Sequence, residues 1–453
     1  MSLLDRPLRE QGGAIASGDA DAGELLEETL ERIESRNPEL NAIVEVFPER
    51  SREMLDDAPP GPLHGVPVAI KDEWPLPWRA ERFGAAEMLG DPPEPGESGP
   101  YRALRDAGAV IVGVGNMHEL GAGSTGHISV YGPAHNPWDT TRCPGGSSSG
   151  PGSAVGARLV GGAVGADGIG SIRYPAAYCG ITGLKPTFGR SAMEGHPIPA
   201  TTTVVSGPLC ADAADCRLLG AALFGEDLQA GDAGGLRIGV VRAPVSEDCR
   251  PDVLEACQRA LEALRAETAG EIVEVAIHGL EHAHVASILV GTTEELDELS
   301  PARVASLGDG LSPIARALLK YRFLLSGAAL ARAHRVRTLM RRSLADVFER
   351  VDVVAWPTVP APAPPLENPT VELPSGPHAA DWANSRAGGI VNLTGVPAIS
   401  MPVGLSSEGL PIGLQLLAAW GRDELLLDAA EALERATGRE HVEARPAIAA
   451  VAA

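Results

Sequence analysis

The chain has 453 residues, 44 % hydrophobic and 21 % charged, the balance of a globular protein large enough for one big domain or two to three ordinary ones. Its formal charge of −23 opposes direct contact with nucleic acid or an anionic membrane, whose fields would repel it. The expected partner is therefore a small molecule, with no nucleic acid and no membrane; a homo-oligomer is compatible with the sequence.

In chain order, the opening Met1–Arg6 lacks the basic and apolar regions of a secretory signal, and no stretch reaches the roughly 20 apolar residues of a membrane span. Leu26, Leu30 and Ile33 predict a helix that stops at Asn37-Pro38. After the loop Pro59-Pro60-Gly61-Pro62, the run Val66-Pro67-Val68-Ala69-Ile70 reads as a buried strand ending at Lys71. Ala109–Val114 predicts a second strand. From Gly145 to Gly189 glycine and serine dominate, but Val155, Leu159, Val164, Ile169, Ile172 and Ile181 argue for packed backbone instead of a linker. Leu236–Val241 reads as a strand, and Leu254, Cys257, Leu261 and Leu264 mark a following helix. Residues 296–350 read as helical and Arg-rich, and Val351–Pro357 as a strand before a proline-rich loop. Strands alternating with helices predict an α/β protein.

Six cysteines, at 143, 179, 210, 216, 249 and 257, form no Cys-x-x-Cys pair. They predict reduced thiols in a cytoplasmic protein, without a disulfide frame or zinc site.

Chemistry enters with lysine. The 37 basic residues include only three lysines, Lys71, Lys185 and Lys320. A chain that otherwise uses arginine has placed a lysine at the inner end of a buried strand. Arginine stays protonated in proteins, whereas a desolvated lysine can become a neutral amine and act as a base. From a free pKa near 10.4 this needs a downward shift of roughly three units, about 4 kcal/mol, provided that Asp72 does not pair with Lys71. Two serine segments lie downstream: Gly145-Gly146-Ser147-Ser148-Ser149-Gly150, and Gly165–Ala176, in which Ser171 ends a glycine-rich turn. Successive backbone N–H groups in such a turn converge on one point and suit an oxyanion.

With these segments the chain resembles the amidase signature family of serine hydrolases. The matching runs are GVPVAIKD ending at Asp72, NMHELGAGSTG at 116–126, GGSSSG at 145–150, GADGIGSIRYPAAYCGITGLKPT from 165, and NLTGVPAISMPVG with GLPIGLQLL near the end. The resemblance covers nearly the whole chain and implies one α/β/α domain around a large mixed central β-sheet flanked by helices. Its parts would be an N-terminal helical segment (1–60), a core with the catalytic residues (61–240), a variable, mostly helical substrate-side region (241–350) and a return to the core (351–445). It implies hydrolysis of a carbon–nitrogen amide bond. Ser171 would be the nucleophile, Ser147, after a cis peptide, the bridge, and Lys71 the base. The oxyanion hole would fall on the N–H groups of Gly168, Ile169, Gly170 and Ser171. Ser148, Asp167 and Arg173 would support the loop or touch substrate, with the orienting role favoured for Asp167 and Arg173. No cofactor or metal is implied. Ile169 stands where the family often has glycine, so the turn must be built with negative φ there.

Two other readings are compatible: the amidase subunit of a tRNA-dependent amidotransferase, and a non-catalytic binding protein on the same scaffold. Residues 281–350 lack the tyrosine- and glycine-containing segment expected of the former. Weaker signals are Gly146-x-Ser148-x-Gly150, which fits a nucleophile elbow but follows a loop and needs a late histidine such as His378 or His441. Gly121-x-Gly123-x-x-Gly126 follows no strand. His278, His282 and His284 read as a solvated cluster, and Glu119 beside His118 as packing and capping. Trp74, Trp78 and Trp382 are candidates for an apolar acyl pocket.

Overall fold

The computed structural model describes residues 2–86, 97–196, 201–294, 301–306 and 310–438. Thirteen strands are present among them: β1 (Ile43–Val46), β2 (Pro67–Lys71), β3 (Val110–Gly115), β4 (Gly162–Asp167), β5 (Thr182–Lys185), β6 (Val205–Cys210), β7 (Arg237–Val240), β8 (Glu271–Glu274), β9 (Val353–Pro357), β10 (Thr370–Leu373), β11 (Gly376–Ala379), β12 (Ala398–Leu405) and β13 (Pro411–Ala418). Strands β10 and β11 form a separate hairpin. The other eleven form one sheet in the order β1-β3-β2-β4-β6-β5-β12-β13-β9-β7-β8. It is mixed: β2 runs parallel to both β3 and β4, whereas β4, β6, β5, β12, β13 and β9 pair antiparallel in succession.

Side-chain alternation explains the three layers. On β2, β3 and β4, Val68, Ile70, Ile111 and Val164 point into one apolar cluster, with Leu219, Leu264 and Leu427 supplied by helices. Their neighbours Ala69, Val110, Val112 and Ala163 point into another, against Leu26, Ala154, Ile172 and Ala176. A strand with both faces covered must be apolar throughout, and all five residues of β2 are buried. At the other end of the sheet Val354, Trp356 and Leu417 pack against Val290, Met340 and Ile390.

The glycine-rich region is packed backbone, as expected. A Cβ on Gly150 would lie 2.1 Å from the Ala42 carbonyl oxygen and 2.2 Å from the Asn116 nitrogen, so the helix Ser149–Gly156 approaches at a distance open to glycine alone. One boundary differs. The N-terminal helix runs Ala22–Leu40, through Pro38, and ends at Asn41 with φ 46°. A proline in the last turn forfeits only one backbone bond, and the Asn37 side chain secures the exit by accepting from the Ala42 and Ile43 amides. Residues 296–350 are helical where described, as Pro301–Ser306, Pro313–Arg322 and Gly327–Phe348.

All six cysteines are unpaired and buried, and burial raises the Cys143, Cys179 and Cys257 thiols well above their ordinary range. Among the described residues no helix is long and apolar enough to cross a membrane.

Lys185, fully buried at the end of β5, donates to the Pro186 carbonyl oxygen at 2.5 Å. Burial lowers its pKa to about 7, against the pull of Asp167 and Asp423. Above that value the unfolded chain holds a proton the native chain lacks, so this residue makes stability rise with pH. Between pH 7 and 8.5, stability relative to Lys185→Met should grow by up to about 1.4 kcal/mol per pH unit. Urea midpoints at four pH values check this; parallel curves would refute it.

Candidate active site

The site forms where parallel strands β2 and β4 end side by side, with Ile70 opposite Val164. Sheet ends of this kind leave an opening beyond the last residues. Lys71 closes β2, and Gly168–Ser171 form the turn that leaves β4. Ser147 arrives from a third direction, after a cis Gly146–Ser147 peptide. Its neighbour Ser148 donates its backbone N–H to the Ser171 carbonyl at 3.2 Å, which fastens the two serine segments together.

Lys71, Ser147 and Ser171 line one cavity of about 430 Å³, a volume that suits a small ligand or one end of a larger one. The Lys71 Nζ donates to Ser147 Oγ at 2.9 Å, and both groups are almost wholly buried. Gly168 and Ile169 also face this space. Ile169 is absent from the positive-φ residues, whereas Gly170 sits at φ 136°, where a Cβ would fall 2.1 Å from the Tyr174 ring. The Tyr174 hydroxyl donates to the Ile169 carbonyl oxygen at 2.5 Å and lies 3.0 Å from that of Asn384, fixing the turn from below.

The supporting residues sort themselves by position. Ser148 Oγ lies 3.2 Å from the Ala166 carbonyl and ties the helix start to β4. Asp167 and Arg173 are both fully buried and joined through Nε–Oδ2 at 3.0 Å and Nη2–Oδ1 at 3.1 Å. Arg173 also donates to Gln415 at 2.9 Å and Asn392 at 2.6 Å. Burial opposes ionisation of Asp167, but the Arg173 guanidinium holds its carboxyl below the usual range. Neither residue lines the cavity; Asp167 instead accepts from Arg173 and from the Ile172 amide beyond the turn.

The condition placed on Lys71 meets a different outcome. Asp72 does avoid it: its carboxylate pairs with Arg79 at 2.7 Å and accepts from the Arg82 and Gly84 amides. Glu73, two residues on, takes the pair instead. Its Oε2 lies 2.5 Å from the Lys71 Nζ, with both side chains buried, and its Oε1 lies 3.4 Å from His196 Nε2. Burial acts to raise the Glu73 pKa, but Lys71 and His196 hold it down, to about 2. The Lys71 amine thus faces a buried carboxylate on one side and the Ser147 hydroxyl on the other. Glu73 lies in the turn after β2, outside the strand, so no strand periodicity marks it in the sequence.

Other lining residues come from distant segments: Phe83, Leu120–Ser124, Val204, His284, Ile288, Tyr321, Arg322, Asp381 and Trp382. The Gly121-x-Gly123-x-x-Gly126 run follows a 3-10 turn and supplies a wall of the cavity. His284, expected at the surface, is instead half-buried beside Ser385, 2.8 Å from its hydroxyl, while His278 and His282 are exposed. Trp74 and Trp78 are core or packing residues against His196, Phe47 and Tyr101; of the three tryptophans only Trp382 borders the cavity. The Glu119 carboxylate caps the helix Pro313–Arg322 by accepting from Ser312 N at 3.0 Å. Burial lowers the His118 pKa to about 4, which leaves its Nδ1 neutral to accept from the Gly126 amide at 3.2 Å. His378 lies on the exposed hairpin, 2.7 Å from Ser375 Oγ, and His441 lies outside the described residues.

Comparison with known proteins adds three findings. The family model described as Amidase matches residues 24–427. A glutamyl-tRNA(Gln) amidotransferase subunit from Geobacter metallireducens is 32 % identical over 96 % of this chain and 98 % of its own length. Among solved structures, an amidase is 31 % identical with TM-score 0.89, over 96 % of this chain and all of its own, and the peptide amidase of Stenotrophomonas maltophilia is 26 % identical with TM-score 0.80, over 96 % and 97 %. The amidotransferase relative overturns the expectation that a small molecule is the partner and nucleic acid plays no part, because its name ties it to a tRNA. Net charge limits only what a chain's own surface can approach.

Proposed function

The chain belongs to the amidase family, and from that premise we propose that it cleaves a carbon–nitrogen amide bond through an acyl-enzyme on Ser171. The observation that supports this is the Lys71–Ser147 hydrogen bond of 2.9 Å in the cavity that Ser171 also faces. Ser171 Oγ attacks the carbonyl carbon while its proton passes through Ser147 to the Lys71 amine. The oxyanion is met by main-chain N–H groups of the turn Gly168, Ile169, Gly170 and Ser171, already held by Tyr174. Collapse expels the amine, which takes a proton back through Ser147. Water then attacks the acyl-Ser171 ester, and the relay runs a second time to release the acid.

Two substrate readings share these steps. One is a free-standing amidase acting on a small amide. The other is the amidase subunit of a tRNA-dependent amidotransferase, which would release ammonia from a primary amide for a partner subunit. The second is favoured by relatives of that name, 32–33 % identical over 95–97 % of the chain. A cytoplasmic location fits either reading and draws on the six unpaired, buried cysteines.

Trapping tests the common step. Incubation with a panel of primary and aryl amides plus hydroxylamine should yield the hydroxamate of the acyl group, through an adduct that peptide mass spectrometry places on Ser171. Hydroxamate formation undiminished in Ser171→Ala would rule out the proposed nucleophile. Affinity purification from the source cells separates the substrate readings: a stoichiometric second protein supports the amidotransferase, and its absence with retained turnover supports the free-standing amidase.

A further inference from the structure

Lys71 stands between two partners, and their chemistry conflicts. To accept a proton from Ser147 its nitrogen needs a lone pair, which an ammonium lacks. The Glu73 carboxylate, 2.5 Å away and buried with it, favours the ammonium by direct charge attraction in a site with little water to screen it. The relay is therefore unarmed when Lys71 and Glu73 together hold the proton, and armed when that proton has left.

We infer that Glu73, with His196 on its second oxygen, is the residue that sets the pH at which the Ser147–Lys71 relay becomes competent. This rests on the proposed roles of Lys71, Ser147 and Ser171. Arming transfers one proton from the Lys71–Glu73 pair to a water or hydroxide in the cavity, which both side chains border together with His196. The amine is left neutral and the carboxylate ionised. His196 lies 3.4 Å from Glu73 Oε1 and is bracketed by the Trp74 and Phe83 rings at 5.1 and 6.1 Å between centroids. Protonated, it competes with Lys71 for the same carboxylate. The other charged or titratable groups nearby are Glu81, which faces His196, and Arg322, Asp381 and His284 on the far walls. Asp72 is turned away and occupied by Arg79. Glu73 is thus a positioning residue: it acts on the carbonyl only through Lys71, and its signature is a pH profile and not simply a loss of rate.

The test needs no substrate. The rate at which a fluorophosphonate probe labels the protein is measured from pH 5.5 to 9.5 for the wild type, Glu73→Gln, Glu73→Asp and Ser171→Ala, with the adduct located by peptide mass spectrometry. Wild-type labelling is expected on Ser171, still rising with pH through 8. Glu73→Gln should move the rising limb about one to three pH units lower, the displacement expected from deleting one opposite charge at this range. At pH 6.5 it would then react about tenfold or more faster than wild type, relative to each protein's own plateau. Glu73→Asp, which keeps the charge, should return the limb most of the way. A Gln limb that coincides with wild type, the adduct still on Ser171, overturns this inference alone. Should the Gln variant not fold, a wild-type rate already flat at pH 6 overturns it equally. Undiminished labelling of Ser171→Ala overturns instead the reading on which it rests.

Discussion

Replacing Ser171 by alanine should lower kcat/KM for every amide or ester this chain turns over by on the order of 10³-fold or more, while leaving the urea midpoint of unfolding close to that of the wild type. The two halves of that result have separate causes. Removing the attacking oxygen leaves only main-chain donors and substrate binding to lower the barrier. Ser171 is only partly buried and carries no charge, so its loss leaves no unpaired group inside. Lys71→Ala should contrast: a similar fall in rate, but with a loss of stability, because Glu73 would stay buried beside His196 without the amine it now meets. Combining Ser171→Ala, Ser147→Ala and Lys71→Ala should cost scarcely more rate than the worst single change, since the three act in one step. Residual activity in Ser171→Ala within tenfold of wild type would mean that another group does the attacking.

Arg173→Met should destabilise the fold by about 3–5 kcal/mol, the usual cost of taking one partner from a fully buried ion pair. Asp167 would keep a carboxylate in the interior without the guanidinium that now holds it ionised, and Gln415 and Asn392 would each lose a donor. The turn from Gly168 to Ser171 lies between the two residues in sequence, so the same variant should react more slowly even where it stays folded. Adding Asp167→Asn should recover part of the stability by removing the stranded charge. Denaturant midpoints of the two variants decide the matter. A loss below 1 kcal/mol for Arg173→Met would show that the pair does not brace the fold.

How legible each residue is from sequence varies, and the reasons are physical. Lys71, Ser147 and Ser171 each sit inside a short run whose composition has a local meaning: an apolar strand end, a small-residue helix start, a glycine turn. Each of those settings is written within a few residues, so the three can be picked out locally. Ile169 is legible too, since a β-branched side chain excludes positive φ, and the turn carries its positive φ at Gly170 instead. The helix runs past its expected stop to Leu40 because Pro38, in the last turn, costs it a single backbone bond. Strands β12 and β13 form a hairpin with each other, but their outer neighbours β5 and β9 are far away in sequence, so their place in the sheet is not written locally.

The lining of the cavity is the least legible part. His196, His284, Arg322, Asp381 and Trp382 belong to segments with no signature of their own, and the packing of distant segments around the cavity brings them together. Glu73 shows the limit most sharply. It stands only two residues past Lys71, but adjacency in sequence points to Asp72 as the partner, and only the placement of Arg79 shows why Asp72 is engaged elsewhere.

Local composition marks the groups from which the proposed reaction is built: an amine at a strand end, two hydroxyls and a glycine turn of amides. Packing of distant segments sets their electrical surroundings, above all that the Lys71 amine meets the buried Glu73 carboxylate and Asp167, just before the Gly168–Ser171 turn, the buried Arg173 guanidinium. The division follows from range. Backbone preference and chemical identity are settled within a few residues, whereas desolvation and charge pairing depend on whatever the rest of the chain brings within a few ångströms.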